Sequence, residues 1–294
     1  MAFSSKIAAA IVLLGSISVA HADDGFNGFT RSLNDKPYGW IQVSKPEPVR
    51  AGELAQRFEV RGGDCGSENG WSDCANDRER SELYSRRKFR MGEEVWIAWS
   101  VFFPKDYWDS SDFNTVVGQI HQEGGPQGMV RGMPSLPPLA QLVTERGNLS
   151  IIYHELDGSP SNIEDIGVKT DLIQLSAIKG RWTDVMIHVS FDKADGFLEI
   201  YLDGKKKYDL HRDAMIKNQR IGYSVIFYKN TDFVVFEPQN FYFKYGIYRN
   251  FISQYTNRTG QLVPTQILYY DEVRVGNDRA SVDIRGNDRI NPVD

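Results

Sequence analysis

The sequence predicts an all-β sandwich or jelly roll, and three features support this fold class. Segments rich in β-branched and aromatic residues alternate between apolar and polar side chains, which is the pattern of half-buried strands. Clusters of Gly, Asn, Asp and Pro separate these segments at short intervals. Helical periodicity is scarce and no strand–helix–strand rhythm recurs, which argues against a parallel α/β sheet.

The alternating segments set the order of the predicted elements. The strands are predicted at residues 57–61, 94–103, 115–121, 149–153, 183–191, 197–202, 223–228, 242–248 and 268–275. Asp203-Gly204 is typical of a hairpin turn. A short helix is predicted within 163–177, and the Gly-, Pro- and Met-rich segment 123–138 is predicted to be a mobile loop or lid.

Length and composition limit the class of protein. The chain has 294 residues, of which 34 are Lys or Arg and 39 are Asp or Glu, and 41% are hydrophobic. These values exclude disordered, collagen-like and coiled-coil proteins. Sandwiches of roughly 200–250 residues fold as one unit, so a single domain over residues 23–294 is expected. The net charge of −5 argues against a nucleic-acid binder.

Residues 1–22 have the pattern of a secretory signal peptide. Lys6 supplies the basic region, an apolar run follows at 7–19, and residues 20–22 form a small-x-small cleavage site. The apolar run is shorter than the ~20 residues that span a bilayer. We therefore expect cleavage after Ala22. The product is expected to be a secreted or periplasmic protein that is not attached to the membrane.

Cys65 and Cys74 are the two cysteines of the chain. Export brings them into a compartment where disulfides persist, and the glycines between them allow a short loop to close. Two thiolates with no nearby His supply too few ligands for zinc. The sequence predicts a Cys65–Cys74 disulfide and no metal site at these residues.

The first segment with candidate chemistry covers residues 78–83. In a strand, Arg78, Arg80 and Glu82 share one face because side chains alternate. This face is either a functional surface or an exposed edge with a salt bridge.

The second segment covers residues 116–121. Gln119 and His121 project from one face, and Ile120 points to the core. Polar groups are costly to bury without partners, so this pair on an apolar strand indicates either a site or a structural histidine.

The third segment covers residues 242–249. Its polar face carries Tyr242, Lys244, Gly246 and Tyr248. Gly246 predicts a gap on this face where a ligand backbone can approach. The alternative is an ordinary amphipathic strand with a surface lysine.

Together the three motifs resemble the signature strands of the jelly-roll polysaccharide lyases, which include alginate, glucuronan and jelly-roll heparin lyases. The motifs Arg-Ser-Glu-Leu, Gln-Ile-His and Tyr-Phe-Lys-x-Gly-x-Tyr occur in that order, and the resemblance covers most of the mature chain. It implies a single-domain β-jelly roll, a concanavalin-like sandwich with a concave substrate groove. It also implies a monomer whose partner is an anionic polysaccharide.

Two departures bear on the substrate. Arg249 and Asn250 follow Tyr248, where alginate lyases usually have Asn-Gln, and Tyr245 stands where a small residue is usual. Both features, with the opening segment 57–64, look more like the glucuronan and heparin lyase branch. The choice among these uronans stays open.

The resemblance implies β-elimination on a uronic acid polymer, which leaves unsaturated uronate ends. Gln119 and Arg80 are then expected to neutralise the substrate carboxylate. His121 acts as base or stabiliser, and Tyr248 protonates the leaving oxygen. In syn elimination Tyr248 also takes the proton, if a cation such as Lys244 lowers its pKa. The expected substrate-binding residues are Arg78, Glu82, Tyr242 and Arg249.

No cofactor is required for this chemistry, and the sequence carries no nucleotide fingerprint. Asp271 and Glu272 leave a structural Ca²⁺ open.

A laminarinase-type carboxylate pair is unsupported, because Pro160 stands where the second Glu belongs. The basic run 86–88 is interpreted as a solvated surface. The alternative to a lyase is a protein that is not an enzyme, namely a non-catalytic carbohydrate-binding sandwich.

Overall fold

The computed structural model describes residues 25–294, apart from residues 34–35, 69, 125–126, 131–132, 155, 160–161, 166, 193–194, 213–224, 230–231 and 237. It gives only the backbone of residues 127–130, 133–135, 156–159, 162–165, 212, 225–229 and 232–236. The predicted signal peptide lies outside the described residues. Within them, no helix has the length and apolar character needed to cross a membrane.

Strands make up most of the regular structure. In chain order they are β1 (Gly25–Phe26), β2 (Phe29–Ser32), β3 (Trp40–Val43), β4 (Ala55–Val60), β5 (Ser67–Glu68), β6 (Trp71–Ser72), β7 (Arg78–Ser85), β8 (Phe89–Arg90), β9 (Val95–Phe102), β10 (Thr115–Gln122), β11 (Gln127–Val130), β12 (Met133–Ser135), β13 (Ala140–Glu145), β14 (Asn148–Tyr153), β15 (Leu156–Ser159), β16 (Asn162–Asp165), β17 (Val168–Gln174), β18 (Trp182–Ser190), β19 (Gly196–Leu202), β20 (Lys205–Arg212), β21 (Val225–Lys229), β22 (Asp232–Phe236), β23 (Asn240–Asn250) and β24 (Gln266–Gly276). Helix α1 spans Ser253–Thr259, and short 3₁₀ turns lie at Cys74–Asn76, Leu175–Ala177 and Arg279–Ser281.

Two antiparallel sheets form the sandwich. The nine-stranded sheet runs β1-β2-β7-β23-β10-β13-β14-β17, with β8 beside β23. The seven-stranded sheet runs β20-β19-β18-β9-β24-β4-β3. The predicted all-β jelly roll is confirmed. In the nine-stranded sheet β23 lies between β7 and β10, so the three motif segments occupy adjacent strands.

The core lies between the two sheets and is rich in aromatic rings. Tyr245 of β23 is fully buried and contacts two aromatic rings of the opposite sheet. Its ring centroid lies 5.6 Å from that of Phe58 and 5.3 Å from that of Tyr270. Such pairs add about 0.5–1.5 kcal/mol each beyond area burial. Burial of one face of β23 fixes the register of the strand and turns its polar face outward.

A residue of the opposite sheet stabilises a register shift in β10. The pairing of β10 with both neighbours shifts between Val116 and Gly118. The buried hydroxyl of Tyr270 lies 2.8 Å from the Val117 carbonyl oxygen and 2.7 Å from the Gly246 carbonyl oxygen. Its single hydrogen is shared by two carbonyls at the irregularity, where regular ladder bonds are missing. β24 therefore fixes the backbone of the two site strands.

Gly246 serves this backbone rather than a ligand. Its φ is 131°, a conformation that favours glycine. A Cβ there would lie 2.3 Å from the Ser81 carbonyl oxygen and 3.0 Å from the core side chain of Phe58. The predicted gap for a ligand backbone is therefore wrong, because the glycine is needed for the close approach of β23 to β7.

All nine predicted strands overlap with observed ones, namely β4, β9, β10, β14, β18, β19, β21, β23 and β24. The predicted turn is also observed, since Asp203 and Gly204 both have positive φ between β19 and β20. Residues 223–224 of one predicted strand lie outside the described residues.

The predicted helix within 163–177 is wrong. This region contains β16, β17 and a 3₁₀ turn. β17 pairs along β14, with Thr170 opposite Ile151 and Val168 opposite Tyr153. The β-branched residues favour an extended chain, and the open edge of β14 supplies hydrogen-bond partners. The predicted loop 123–138 contains the paired strands β11 and β12.

The predicted disulfide between Cys65 and Cys74 is confirmed, with the two Cα atoms 5.2 Å apart. The bridge closes a loop that contains Asp73, whose side chain is fully buried. Closing a loop of this length stabilises a fold by about 2–3 kcal/mol.

We expect the double variant Cys65→Ser/Cys74→Ser to lose about 2–3 kcal/mol of unfolding free energy, because the unfolded chain is no longer constrained. Urea unfolding of the oxidised protein and of the variant measures the difference. Reductant should destabilise the wild type and leave the variant unchanged. Equal midpoints for all of these samples would contradict the prediction.

Candidate functional site

Polar side chains of three adjacent strands meet on the outer face of the nine-stranded sheet. Strand pairing puts Tyr248 beside Arg80, Gln119 beside Lys244, and His121 beside Tyr242. We call this group the polar cluster, and its members are Arg80, Glu82, Gln119, His121, Tyr242, Lys244 and Tyr248. The structure thus brings all five sequence-predicted catalytic candidates onto one face.

Arg80 is tied down by two carboxylates. Its Nε and Nη2 each donate to Asp73 at 2.6 Å, and its Nη1 donates to Glu82 at 3.3 Å. The Arg80 side chain is only 6% exposed and that of Asp73 is not exposed. Asp73 also accepts a 2.9 Å bond from the Trp71 indole. A buried guanidinium and its carboxylates are held together because separating them in a poorly solvated site is costly.

This geometry corrects the role expected of Arg80. A bidentate contact with a substrate carboxylate requires a free guanidinium edge, but Asp73 occupies the Nε–Nη2 edge and Glu82 accepts from Nη1 on the other. The Arg80 guanidinium instead lies 4.3 Å from the ring centroid of Tyr248, within range of a cation–π contact. Arg80 is thus a positioning residue beneath the candidate acid. Asp73 was missed by the sequence prediction.

Glu82 links Arg80 to Gln119. One Glu82 oxygen accepts from Arg80, and the other accepts a 2.5 Å bond from Gln119 Nε2. This fixes which end of the Gln119 amide carries the donors, because a carboxylate only accepts. Glu82 was predicted to bind substrate, but in the structure it orients Gln119.

His121 is held as a neutral base. Its Nδ1 lies 2.8 Å from the Gln122 carbonyl oxygen, so Nδ1 carries the proton and Nε2 keeps its lone pair. Burial lowers the pKa of His121 to about 3, and the charge of Lys244 contributes. The ring stacks against that of Tyr242, with centroids 5.8 Å apart. At neutral pH His121 is therefore uncharged, with an unprotonated Nε2.

Tyr248 retains its proton. Burial raises the pKa of its hydroxyl, and the charges of Arg80 and Arg78 act in the opposite direction. Its side chain stays partly exposed at the outer face. Among the described residues, no group forms a hydrogen bond with this hydroxyl. The arrangement suits a proton donor.

Lys244 supplies an ammonium without a close anion. Burial is the largest cause that lowers the pKa of Lys244 to about 8. The charge of Glu82 opposes this shift, and the charge of Arg80 adds to it. The Nζ lies 5.7 Å from the ring centroid of Tyr242, and it forms no salt bridge within the described part of the chain. At neutral pH this ammonium remains charged and available to an anionic group.

Two other residues that were predicted to bind substrate lie in different environments. Arg249 is fully buried, forms an ion pair with Glu79 and donates to the Pro264 carbonyl at 2.6 Å. It lies on the core side of β23, so the prediction that it binds substrate is wrong. Arg78 is partly exposed near Phe251, with its guanidinium 5.0 Å from that ring centroid. Its substrate contact stays a prediction.

Candidate metal ligands lie away from this face. Glu199, Asp209 and His211 have ligand atoms within 4.8 Å of one another on β19 and β20. Lys206 Nζ lies 2.6 Å from Glu199 and 3.0 Å from Asp209, so an ammonium already balances these carboxylates.

The two residues considered for structural Ca²⁺ have protein donors. Asp271 accepts a 2.7 Å bond from the Arg50 amide, and Glu272 accepts a 2.9 Å bond from the Val293 amide. A calcium ion would have to displace these donors.

Known proteins resemble this chain in sequence and in fold. The family model described as polysaccharide lyase matches residues 34–274. The structure is similar to the endo-β-1,4-glucuronan lyase of the fungus Trichoderma reesei, with a TM-score of 0.60, 20% sequence identity, and coverage of 88% of this chain and 95% of that one.

A more distant similarity is to an exolytic alginate lyase from Zobellia galactanivorans, with a TM-score of 0.49, 12% identity, and coverage of 86% of this chain and 96% of that one. The search of curated proteins finds no significant match.

Proposed function

Because the chain belongs to the polysaccharide lyase family, we propose that it cleaves a uronic acid polysaccharide by β-elimination. The observation that carries this proposal is the polar cluster. It combines an available ammonium on Lys244, an oriented amide on Gln119, a neutral imidazole on His121 and a protonated phenol on Tyr248. These are the groups that elimination next to a carboxylate requires.

The carboxylate is captured first. The ionised carboxylate of a uronate resists removal of the neighbouring proton, because a second negative charge develops. Gln119 has a second amide hydrogen beyond the one given to Glu82, and Lys244 has an ammonium. We assign the binding of the substrate carboxylate to these two groups, in place of the Arg80 guanidinium.

The proton steps follow from the protonation states. His121 Nε2 takes the proton from the carbon beside the carboxylate, and those electrons form the new carbon–carbon double bond. The glycosidic carbon–oxygen bond breaks, and Tyr248 gives its proton to the leaving oxygen. The raised pKa of Tyr248 favours the acid role over the base role.

We take glucuronan as the first candidate substrate, since the glucuronan lyase shares this fold over most of both chains. The experiment incubates the purified protein with glucuronan, alginate, heparin and bacterial exopolysaccharides, and follows the ultraviolet absorbance of the unsaturated uronate. Product from one polymer supports the proposal. Binding without product from any of them would favour a non-catalytic carbohydrate-binding protein.

We further infer that the protein is exported. The pattern of residues 1–22 is that of a signal peptide, and the Cys65–Cys74 bridge suits an oxidising compartment. N-terminal sequencing of protein from the periplasm or medium should begin at Asp23. An intact N-terminus in a cytoplasmic fraction would contradict export.

The pKa of Lys244 predicts the alkaline limb of activity. Lys244 is charged below about pH 8 and neutral above it, so kcat/KM is expected to fall as pH rises through about 8. In Lys244→Arg the guanidinium stays charged, and the limb should move to higher pH. A pH–rate profile of both proteins is the measurement. An unmoved limb in Lys244→Arg would assign it to another group.

A further inference from the structure

Lys88 lies in the turn between β7 and β8 at the edge of the polar cluster. Its Nζ is 3.6 Å from the ring centroid of Tyr242 and 5.5 Å from that of Tyr84. The two tyrosine rings meet edge to face, with centroids 6.2 Å apart. Three side chains from β7, the turn and β23 thus form one aromatic and cationic surface beside the candidate catalytic groups.

The Lys88 ammonium is partly removed from water without a close anion. Its side chain is 28% exposed, and its ion-pair contact in the described structure is Glu123, with Nζ and Oε1 3.9 Å apart. That distance is beyond a direct hydrogen bond. Burial lowers the pKa of Lys88, and the charge of Glu123 opposes the shift. The ring of Tyr242 offsets only part of the lost hydration.

This surface adjoins the proposed reaction centre. Tyr242 pairs with His121 across β23 and β10, and their rings stack. Lys244 lies on the same face, 5.7 Å from the ring centroid of Tyr242. Two cations therefore flank one tyrosine, and a sugar whose carboxylate reaches Lys88 would be the neighbour of a sugar bound at His121.

We propose that Lys88, Tyr84 and Tyr242 form a binding subsite for a uronate residue adjacent to the one that is cleaved. The carboxylate of that uronate pairs with the Lys88 ammonium, which the two tyrosine rings hold beside the polar cluster. This proposal rests on the proposed function, because it assumes a uronic acid polymer. It assigns a specific role to one residue of the basic run 86–88, which the sequence alone indicates is a solvated surface.

The test compares two substitutions that remove one positive charge from the same turn. Lys88→Gln removes the proposed contact. Arg86→Gln removes an exposed charge two residues away. Both are made in a Tyr248→Phe background, so that a short oligoglucuronate stays intact during calorimetric titration. A partly exposed, charge-assisted contact is worth about threefold to tenfold in Kd.

We expect Lys88→Gln to weaken binding of the oligoglucuronate about threefold to tenfold and Arg86→Gln to leave Kd unchanged. Lys88→Arg keeps the charge and should retain most of the affinity, which also shows that the turn still folds. In the active background, Lys88→Gln should raise KM with kcat unchanged, as expected for loss of uniform binding.

Equal effects of Lys88→Gln and Arg86→Gln, or no effect of either, would overturn the subsite. Loss of affinity in Lys88→Arg equal to that in Lys88→Gln would also overturn it, since charge would then be irrelevant. Failure of the proposed function looks different, because the wild type then produces no unsaturated uronate from any polymer. Binding to the Tyr248→Phe protein is measured independently of that outcome.

Discussion

Replacing Tyr248 with Phe is expected to lower kcat by about 10²–10⁴-fold, the range that general acid–base groups supply. The substitution removes only the hydroxyl, so the leaving oxygen loses its proton donor while the ring keeps its contact with the Arg80 guanidinium. The thermal unfolding midpoint should therefore match that of the wild type. Initial rates of unsaturated uronate formation, with matched melts, measure both quantities.

Tyr208→Phe is the matched control for this substitution. Tyr208 lies on β20 of the other sheet, so loss of its hydroxyl should leave kcat unchanged. If Tyr248→Phe retained more than half of the wild-type rate, Tyr248 would have no part in the proton transfer. The lyase activity would then need another acid.

Arg80→Gln is expected to reduce the free energy of unfolding by about 3–5 kcal/mol, the cost of removing one partner from a buried ion pair. Asp73 and Glu82 would be left buried without the guanidinium that neutralises them. Activity should fall as well, because Glu82 would no longer be held in place to orient Gln119. Urea unfolding and initial rates report the two effects.

The control for Arg80→Gln is Arg258→Gln. Arg258 makes a similar two-pronged contact with Asp112 at 2.9 and 2.6 Å, but its side chain is 58% exposed. Exposed pairs contribute about 0–1 kcal/mol, so this variant should be nearly as stable as the wild type. If both substitutions cost the same, burial would not be what gives the Arg80 network its strength.

Alternation along single strands is what made the faces of the site predictable. Gln119 and His121 are separated by one residue, and so are Tyr242 and Lys244, so each pair must share a face once the core side is known. The apolar residues between them identify that core side. The order of the three motifs did not reveal their pairing, but the resemblance to jelly-roll lyases implied that they converge.

Contacts between distant segments were not predictable in the same way. Alternation places Arg249 on the core side of β23, but it does not reveal Glu79, which forms the ion pair with its guanidinium there. Asp73 reaches Arg80 only because the disulfide loop folds back onto β7, and no spacing rule encodes that return. The strand Val168–Gln174 depends on the free edge of β14, which a local helical pattern does not reveal.

The hydrogen bonds of the Tyr270 hydroxyl affect how the protein unfolds locally. It joins the carbonyl groups of Val117 and Gly246, which belong to the sheet that carries the site, to a strand of the other sheet. Detachment of β24 would leave those carbonyls buried without their donor, a cost that local fluctuations cannot recover. In native-state hydrogen exchange, the amides of β10, β23 and β24 should therefore exchange as one cooperative unit, at the free energy of global unfolding.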